Sequence, residues 1–192
     1  MKKYLLSAAL LFTVTVGAMA QSSTFGIKGG VNFSKVNADN LNSSTVSGYQ
    51  AGLFARFGGA LYVQPELYVS STGGKFQSTD GLYNGDVKFT NLNVPLLLGT
   101  KIGSNSLNFR LMVGPVYSYT MSKSQNFSAN FVSAYQDFGK YNNSTLGFQA
   151  GGGVDVGPIT ADLRYEGGLT DVNKNFGQRQ NLWALSVGFK FL

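Results

Sequence analysis

The sequence predicts an all-β protein, an eight-stranded antiparallel up-and-down transmembrane β-barrel. The first observation is alternation: over Asn181 to Leu192, large apolar side chains take every second position and small or charged ones the others. Because successive side chains of a strand point to opposite faces, one face is bulky and the other narrow. Small residues suit the interior of a narrow barrel, and the bulky face suits lipid. The second observation is composition: only 12% of residues are charged, against about 25% in soluble domains.

Eight segments show this alternation and are predicted strands, at about 24–34, 46–57, 60–71, 87–101, 107–120, 144–156, 159–169 and 181–192. Each predicted strand has an outward face of large apolar residues, represented in chain order by Phe25, Tyr49, Leu61, Leu92, Phe109, Leu146, Leu163 and Trp183. The inward faces are represented in the same order by Lys28, Gln50, Gln64, Asn93, Arg110, Gln149, Arg164 and Ser186. Phe54 is a bulky exception on the inward face of the second strand. Pro65 removes one donor from the third strand, so we expect a bulge or a weak pair there.

The connections between these segments alternate between long and short. The long ones are predicted at 35–45, 72–86, 121–143 and 170–180, and the short ones at Gly58-Gly59, 102–106 and Gly157-Pro158. This alternation of connection lengths is typical of outer-membrane barrels, which have short periplasmic turns and long outer loops. Each segment is long enough to cross a bilayer at a tilt, and spanning strands must close into a barrel to pair their backbone groups.

The first twenty residues have the pattern of a secretory signal peptide. Lys2 and Lys3 precede an apolar run from Tyr4 to Val16, and Ala18-Met19-Ala20 is a small-residue cleavage site. A retained membrane anchor is the alternative, which the short run disfavours. We therefore expect a signal peptide over 1–20 and a barrel domain over 21–192. The chain has no Cys, which excludes a lipid-modified cysteine, a disulfide and a thiolate metal site.

Charged residues within the strands fall mostly on the inward face, namely Lys28, Arg56, Glu66, Lys101, Arg110, Asp155, Asp162, Arg164, Glu166 and Lys190. Buried ions need partners. We expect a structural network at mid-barrel, built from Glu66, Arg110, Arg164 and Glu166, with Asp162 and Arg56 nearer the periplasmic end. A small conduit lined by these charges is the alternative, although eight-stranded interiors are usually filled by side chains. The net charge of +6 is scattered without a basic run, so no nucleic-acid partner is expected.

Several kinds of chemistry are excluded or disfavoured. The chain has no His, which rules out a Ser-His-Asp triad and a histidine metal site. Asp162 and Glu166 share a face about 13 Å apart, too far for a paired-carboxylate glycosidase. The stretch 171–175 resembles the start of a calcium loop, but Phe176 and Leu182 replace the required Gly and Glu. We predict no catalytic, cofactor-binding or metal-binding residue and no cofactor.

Three strand phrases carry a family resemblance: Tyr62-Val63-Gln64-Pro65-Glu66-Leu67, Leu92-Asn93-Val94-Pro95-Leu96-Leu97-Leu98 and Val113-Gly114-Pro115. They resemble the PorT-like outer-membrane β-barrel proteins common in Bacteroidetes, and more broadly the OmpA-type and OmpX-type barrels. The resemblance implies an outer-membrane location. The C-terminal strand is similar to the aromatic-ended signal read by the barrel-assembly machinery, with Phe191 followed by Leu192.

Together these observations indicate a non-enzymatic, monomeric outer-membrane barrel in contact with outer-membrane lipid. Its expected role is in envelope structure or in surface interaction, with an extracellular ligand or protein at the four long loops. Aromatics in the loop at 121–143 favour an interfacial girdle or loop packing over a dedicated binding surface. The alternatives are a narrow pore, a secretion-associated PorT-like barrel, a soluble lipocalin-like carrier and a membrane enzyme.

Overall fold

The structure is a computed structural model that describes residues 23–37, 42–44, 46–77, 84–104, 106–127, 144–170 and 179–191. Within these ranges the chain forms nine strands: β1 Ser23–Asn37, β2 Asn42–Ser44, β3 Val46–Gly58, β4 Leu61–Gln77, β5 Asn84–Gly103, β6 Leu107–Phe127, β7 Ser144–Val156, β8 Ile159–Gly168 and β9 Arg179–Lys190. None of the residues described belongs to a helix that could cross a bilayer. The predicted signal peptide, the calcium-loop-like stretch and most loop aromatics lie outside the described residues.

Eight of these strands form a closed antiparallel barrel, which confirms the predicted fold class. Each barrel strand pairs with its neighbours along the chain, and β1 pairs with β9 to close the cylinder, with Phe33 opposite Trp183. The short β2 lies outside this ring and pairs with the far end of β4, where Ser43 is opposite Phe76.

The short connections between β3 and β4, β5 and β6, and β7 and β8 all lie at one end of the barrel, here called the turn end. Gly58, Gly103 and Gly157 have φ values of 122°, 134° and 55° in these turns, a region that favours glycine. β1 begins at the same end, where Ser23 pairs with Phe57. The opposite end, toward the long connections, is here called the loop end.

The two faces of the strands are divided as the alternation predicts. In β9, Trp183 is 52% exposed and the next residue, Ala184, is 4% exposed. Phe54 lies inside the barrel as the predicted exception. The core of the protein is therefore the barrel lumen, and the apolar outer surface has the character of a lipid-facing wall.

The weak pair predicted at Pro65 is confirmed. On the β3 side of β4, Glu66 pairs with Phe54 and Val63 pairs with Phe57, and no pair is formed between them. Proline has no backbone N–H to donate, so the ladder is interrupted at this point without a change of register.

Parts of the predicted loops are strands, which is a correction. β4 continues to Gln77, β5 begins at Asn84 and β6 continues to Phe127, so the loops predicted at 72–86 and 121–143 are shorter than expected. The predicted loop at 35–45 likewise contains β2. Outside a membrane neither face of a strand has to be apolar. The alternation that identified the other strands is therefore absent from them.

Outward-facing aromatic side chains form two bands on the outer wall. The loop-end band contains Phe33, Tyr49, Tyr117, Tyr119, Phe148, Tyr165 and Trp183, and the turn-end band contains Phe25, Phe57, Phe109, Phe189 and Phe191. Along β6, Phe109 and Tyr119 are ten residues apart, which corresponds to about 26 Å of height for a strand tilted by roughly 40°. This matches the apolar band of about 25 Å in membrane barrels, bounded by aromatic girdles.

Candidate functional site

Arg164 of β8 lies at the centre of the buried charges in the lumen. Its guanidinium donates to Glu66 through Nη1 at 2.8 Å and to Asp162 through Nη2 at 2.7 Å. Nη2 is also 2.8 Å from the second oxygen of Glu66, so the contact with this carboxylate is bidentate. Glu66 is further bound by Lys28 and by Gln64, whose Nε2 donates at 2.6 Å.

A second cluster lies nearer the turn end, around Arg110 and Asp155. Arg110 donates to Asp162 at 2.6 Å, and its Nε lies 2.8 Å from Asp155, an ion-pair contact without hydrogen-bond geometry. Arg56 donates to Asp155 at 2.8 Å, and Lys190 lies 3.1 Å from the same carboxylate. Because Asp162 contacts both Arg110 and Arg164, the two clusters form one interior charge network.

Glycines in β7 provide the space for these side chains. Gly153 pairs with Arg110 of β6 on one side and with Asp162 of β8 on the other. A Cβ on Gly153 would lie 2.7 Å from Nη2 of Arg110, and one on Gly151 would lie 2.9 Å from Cγ of Arg164. The ion pairs therefore reach across positions that have no side chain.

The structure brings together most of the predicted network residues. Arg164 contacts both Glu66 and Asp162, and Asp162 also contacts Arg110. Arg56 is connected to Arg110 through Asp155, which contacts both.

Glu166 does not join this network. It forms no ion pair with the described residues and accepts hydrogen bonds from Gln149 at 2.8 Å and from Tyr68 at 3.5 Å. It lies on the same face as Arg164 but one inward position nearer the loop end, whereas the Arg164 guanidinium bonds to Asp162 and Glu66 instead.

Sequence reasoning left four side chains out of the network: Lys28, Gln64, Asp155 and Lys190. All four were assigned to the inward face, but their partners depend on strand register. Lys28 pairs with Gly52 of β3 in the backbone ladder, and its ammonium passes to the Tyr68 ring of β4, 4.3 Å from the centroid. Gly52 has no side chain to block the lumen beside Lys28, so Lys28 of β1 can reach past β3 to Glu66 of β4. This glycine is the feature of the sequence from which the contact could have been predicted.

The loop half of the lumen holds neutral polar side chains in place of ion pairs. Asn93 donates to Ser70 at 2.9 Å and accepts from Ser118 at 2.7 Å. Asn91 donates to Thr72 at 3.1 Å and accepts from Thr120 at 2.9 Å. These bonds connect β4, β5 and β6 inside the barrel and satisfy groups that burial would otherwise penalise.

Large side chains fill the lumen between these polar layers. Those that are fully buried are Arg110, Tyr62, Phe89, Leu97, Gln64, Val116 and Asn32. Over the part of the chain that the structure describes, no group of three acidic side chains is placed to hold a metal ion. The described interior is thus largely filled, with an ionic half and a loop half that is neutral and polar apart from Glu166.

The comparison with protein families agrees with this architecture. The model of the outer membrane protein beta-barrel domain matches residues 19–174. The chain belongs to this family. Its location is accordingly the outer membrane. No curated protein is detectably similar in sequence.

Solved structures with the same fold include small outer-membrane barrels. Ail, the attachment invasion locus protein of Yersinia pestis, crystallised with the heparin analogue sucrose octasulfate, is 15% identical with a TM-score of 0.51, and the match covers 88% of this chain and 99% of that one. OprG of Pseudomonas aeruginosa is 16% identical with a TM-score of 0.53, covering 88% and 96% of the two chains. The outer membrane enzyme PagL is 7% identical with a TM-score of 0.49, covering 88% and 99%. At these identities the likeness to Ail and OprG concerns the fold alone.

Proposed function

We propose that this outer-membrane barrel is non-enzymatic and acts in surface interaction through a sheet that extends beyond its loop end. The supporting observation is the length of β6. Its last pair with β7 joins Tyr119 to Ser144, yet β6 continues for eight residues, from Thr120 to Phe127. At about 3.3 Å per residue this extension is about 26 Å long.

Other strands accompany β6 beyond the barrel. β5 pairs with it as far as Gly85 opposite Phe127, and β4 pairs with β5 as far as Gln77 opposite Asn84. β2 pairs with the other edge of β4. We call this four-stranded unit, formed by 42–44, 71–77, 84–90 and 120–127, the loop-end sheet.

The loop-end sheet is longer than membrane spanning requires. About 9–11 residues suffice for a tilted strand to cross a bilayer, whereas β6 has 21. Among the described residues, β6 beyond Tyr119 pairs only with β5. A sheet that projects from the membrane presents backbone groups at its edges, to which an extended segment of a partner can bind.

A shortened loop-end connection tests the proposal. Deletion of Lys123 to Tyr141 should reduce the binding of cells that display the protein to coated surfaces. The heparin analogue bound to Ail makes heparin a suitable first coating, with a protein coating beside it. Deletion of 172–177, in the connection between β8 and β9, is the matched control. Unchanged binding in the first variant would refute the proposal, and sensitivity to detergent without a binding defect would favour an envelope-structural role instead.

A closed interior is part of the same proposal and argues against the narrow pore. Arg110 and Tyr62 are fully buried within the lumen, and Arg164 of β8 contacts Glu66 of β4 across it. We expect no single-channel conductance when the purified protein is inserted into planar bilayers. Stepwise conductance at a defined unit size would favour the pore.

The non-enzymatic assignment is supported by the residues available. The full sequence contains neither His nor Cys, which removes the usual general base and thiol nucleophile. Purified protein incubated with phospholipid or peptide substrates should leave them intact, and any turnover above a protein-free control would contradict this assignment. The PorT-like subfamily and its association with secretion remain alternatives within the family.

We propose further that residues 1–20 are removed during export and that the C-terminal strand is recognised by the barrel-assembly machinery. N-terminal sequencing of protein isolated from outer membranes should give Gln21 as the first residue. A product that begins at Met1 would indicate a retained anchor.

A further inference from the structure

Glu166 is a carboxylate inside the barrel without a basic partner among the described residues. Gln149 Nε2 and Tyr68 OH both bond to the same oxygen, Oε2, at 2.8 and 3.5 Å. The other oxygen, Oε1, accepts no hydrogen bond from the described part of the chain. Glu166 is half-buried, and a carboxylate partly withdrawn from water is costly without a counter-charge, so the surroundings of Oε1 decide what can neutralise it.

A small cavity adjoins this carboxylate at the loop end, between β6, β7 and β8. It has a volume of about 20 Å³, and Glu166 lines it together with Ser118, Thr145, Gly147 and Gly168. Gly147 and Gly168 lie on the inward face and contribute no side chain to it. The volume exceeds the roughly 10–15 Å³ that one water molecule needs, and is therefore sufficient for a single small ion.

Oxygen atoms that can accept hydrogen bonds lie at the cavity or next to it. The Ser118 hydroxyl donates a hydrogen bond to Asn93 Oδ1 at 2.7 Å, and its oxygen lone pairs are still able to accept. Gln149 does not line the cavity but neighbours Glu166 in the ladder, and its buried Oε1 has no hydrogen-bond partner among the described residues. Thr170, at the cavity edge, uses its hydroxyl on the Leu146 backbone, both accepting from the N–H and donating to the carbonyl. The cavity therefore has one negative charge, on Glu166, and more hydrogen-bond acceptors nearby than donors.

We propose that this cavity, here called the Glu166 pocket, binds one small inorganic cation. Glu166 Oε1 supplies the charged ligand, the Ser118 hydroxyl a neutral one, and backbone carbonyls and water the remainder. Carboxylate, hydroxyl and carbonyl oxygens are the ligands preferred by hard cations such as Ca²⁺ and Mg²⁺. The bound ion connects β6, β7 and β8 at the rim from which the loop-end connections leave.

Thermal unfolding of the full-length folded protein in detergent tests the proposal, after treatment with a chelator. CaCl₂ is the first probe, with MgCl₂ and NaCl at matched ionic strength beside it. The melting temperature of the wild type should rise and saturate with Ca²⁺, since a ligand that binds only the folded state stabilises it by mass action. A single-carboxylate site predicts half-saturation at about 10⁻⁴–10⁻³ M, the range of weak calcium sites.

Glu166→Gln should abolish the saturable shift, and Ser118→Ala should raise the half-saturating concentration several-fold. Asp162→Asn is the matched control: it removes an interior carboxylate outside the pocket and should lower the starting melting temperature but keep the shift. An equal shift in Glu166→Gln would overturn the proposal, because the ion would then bind elsewhere. No saturable shift of the wild type with any of the three salts would overturn it as well. If Glu166→Gln does not fold, Ser118→Ala decides, and an unchanged half-saturation would count against the site.

Discussion

Replacement of Arg164 by Met is the sharpest test of the interior charge network. Arg164 is 3% exposed and contacts Glu66 and Asp162, with donor–acceptor distances of 2.7–2.8 Å. Met occupies a similar length but carries no charge. The substitution therefore removes the central cation and leaves both carboxylates in place.

The expected loss in the free energy of unfolding depends on which partners the two carboxylates retain. Removal of one partner of a buried pair typically costs about 3–5 kcal/mol. Glu66 retains Lys28 and Gln64, and Asp162 retains Arg110, so neither carboxylate becomes fully unpaired. We therefore expect the lower limit, about 3 kcal/mol. With a urea dependence of about 2 kcal/mol per M, this corresponds to a fall of about 1.5 M in the unfolding midpoint.

Urea unfolding of the protein in lipid vesicles, followed by fluorescence of the single Trp183, gives this midpoint. Leu163→Met is the matched control, because the neighbouring residue faces outward and is 52% exposed; we expect a change within about 0.5 kcal/mol. Adding Glu66→Gln to the wild type and to the Arg164→Met variant completes a double-mutant cycle that isolates the Arg164–Glu66 coupling. An unchanged midpoint for Arg164→Met would refute the reasoning and remove Arg164 from the network.

Two further predictions use the same measurement. Gly153→Ala should lower stability by about 1–3 kcal/mol, since the added Cβ meets Arg110, Asp162 and a backbone carbonyl; Gly152→Ala faces outward, where the nearest atom is 3.4 Å away, and should change little. Val113→Arg, midway between the aromatic bands, should cost about 2–4 kcal/mol, whereas Ile102→Arg at the turn-end band should cost about 0–1 kcal/mol. Equal effects within either pair would contradict the assigned faces or the assigned depth.

The fold and the two faces of each strand could be predicted from the sequence because both depend on a period of two. Trp183 and Ala184 show this directly, since neighbouring positions differ in size and polarity as the two environments require. The extensions of β4, β5 and β6 could not be found in this way. Outside the membrane neither face of a strand has to be apolar, and segments such as 122–126 carry no alternation although they pair with β5.

The partners of the interior charges depend on register, which alternation does not specify. Arg110 and Asp162 lie in one row of the sheet with Gly153 between them. Moving one strand by two residues would preserve every inward and outward assignment, yet it would place a different pair of charges in contact. Sequence reasoning therefore selected the right set of inward charges but not their connections.

Glu166 shows what this distinction means for function. Its position on the inward face, two residues from Arg164, predicted an ion pair, whereas the register places it opposite Gln149. The neighbouring rows at the loop end supply hydroxyl and amide groups in place of cations. Among the described acidic residues of the inward face, Glu66, Asp155 and Asp162 are neutralised by Arg and Lys of the chain, whereas Glu166 is the residue for which we propose a bound cation. Lys28, whose ammonium lies over the Tyr68 ring, marks the boundary because it binds Glu66 rather than Glu166.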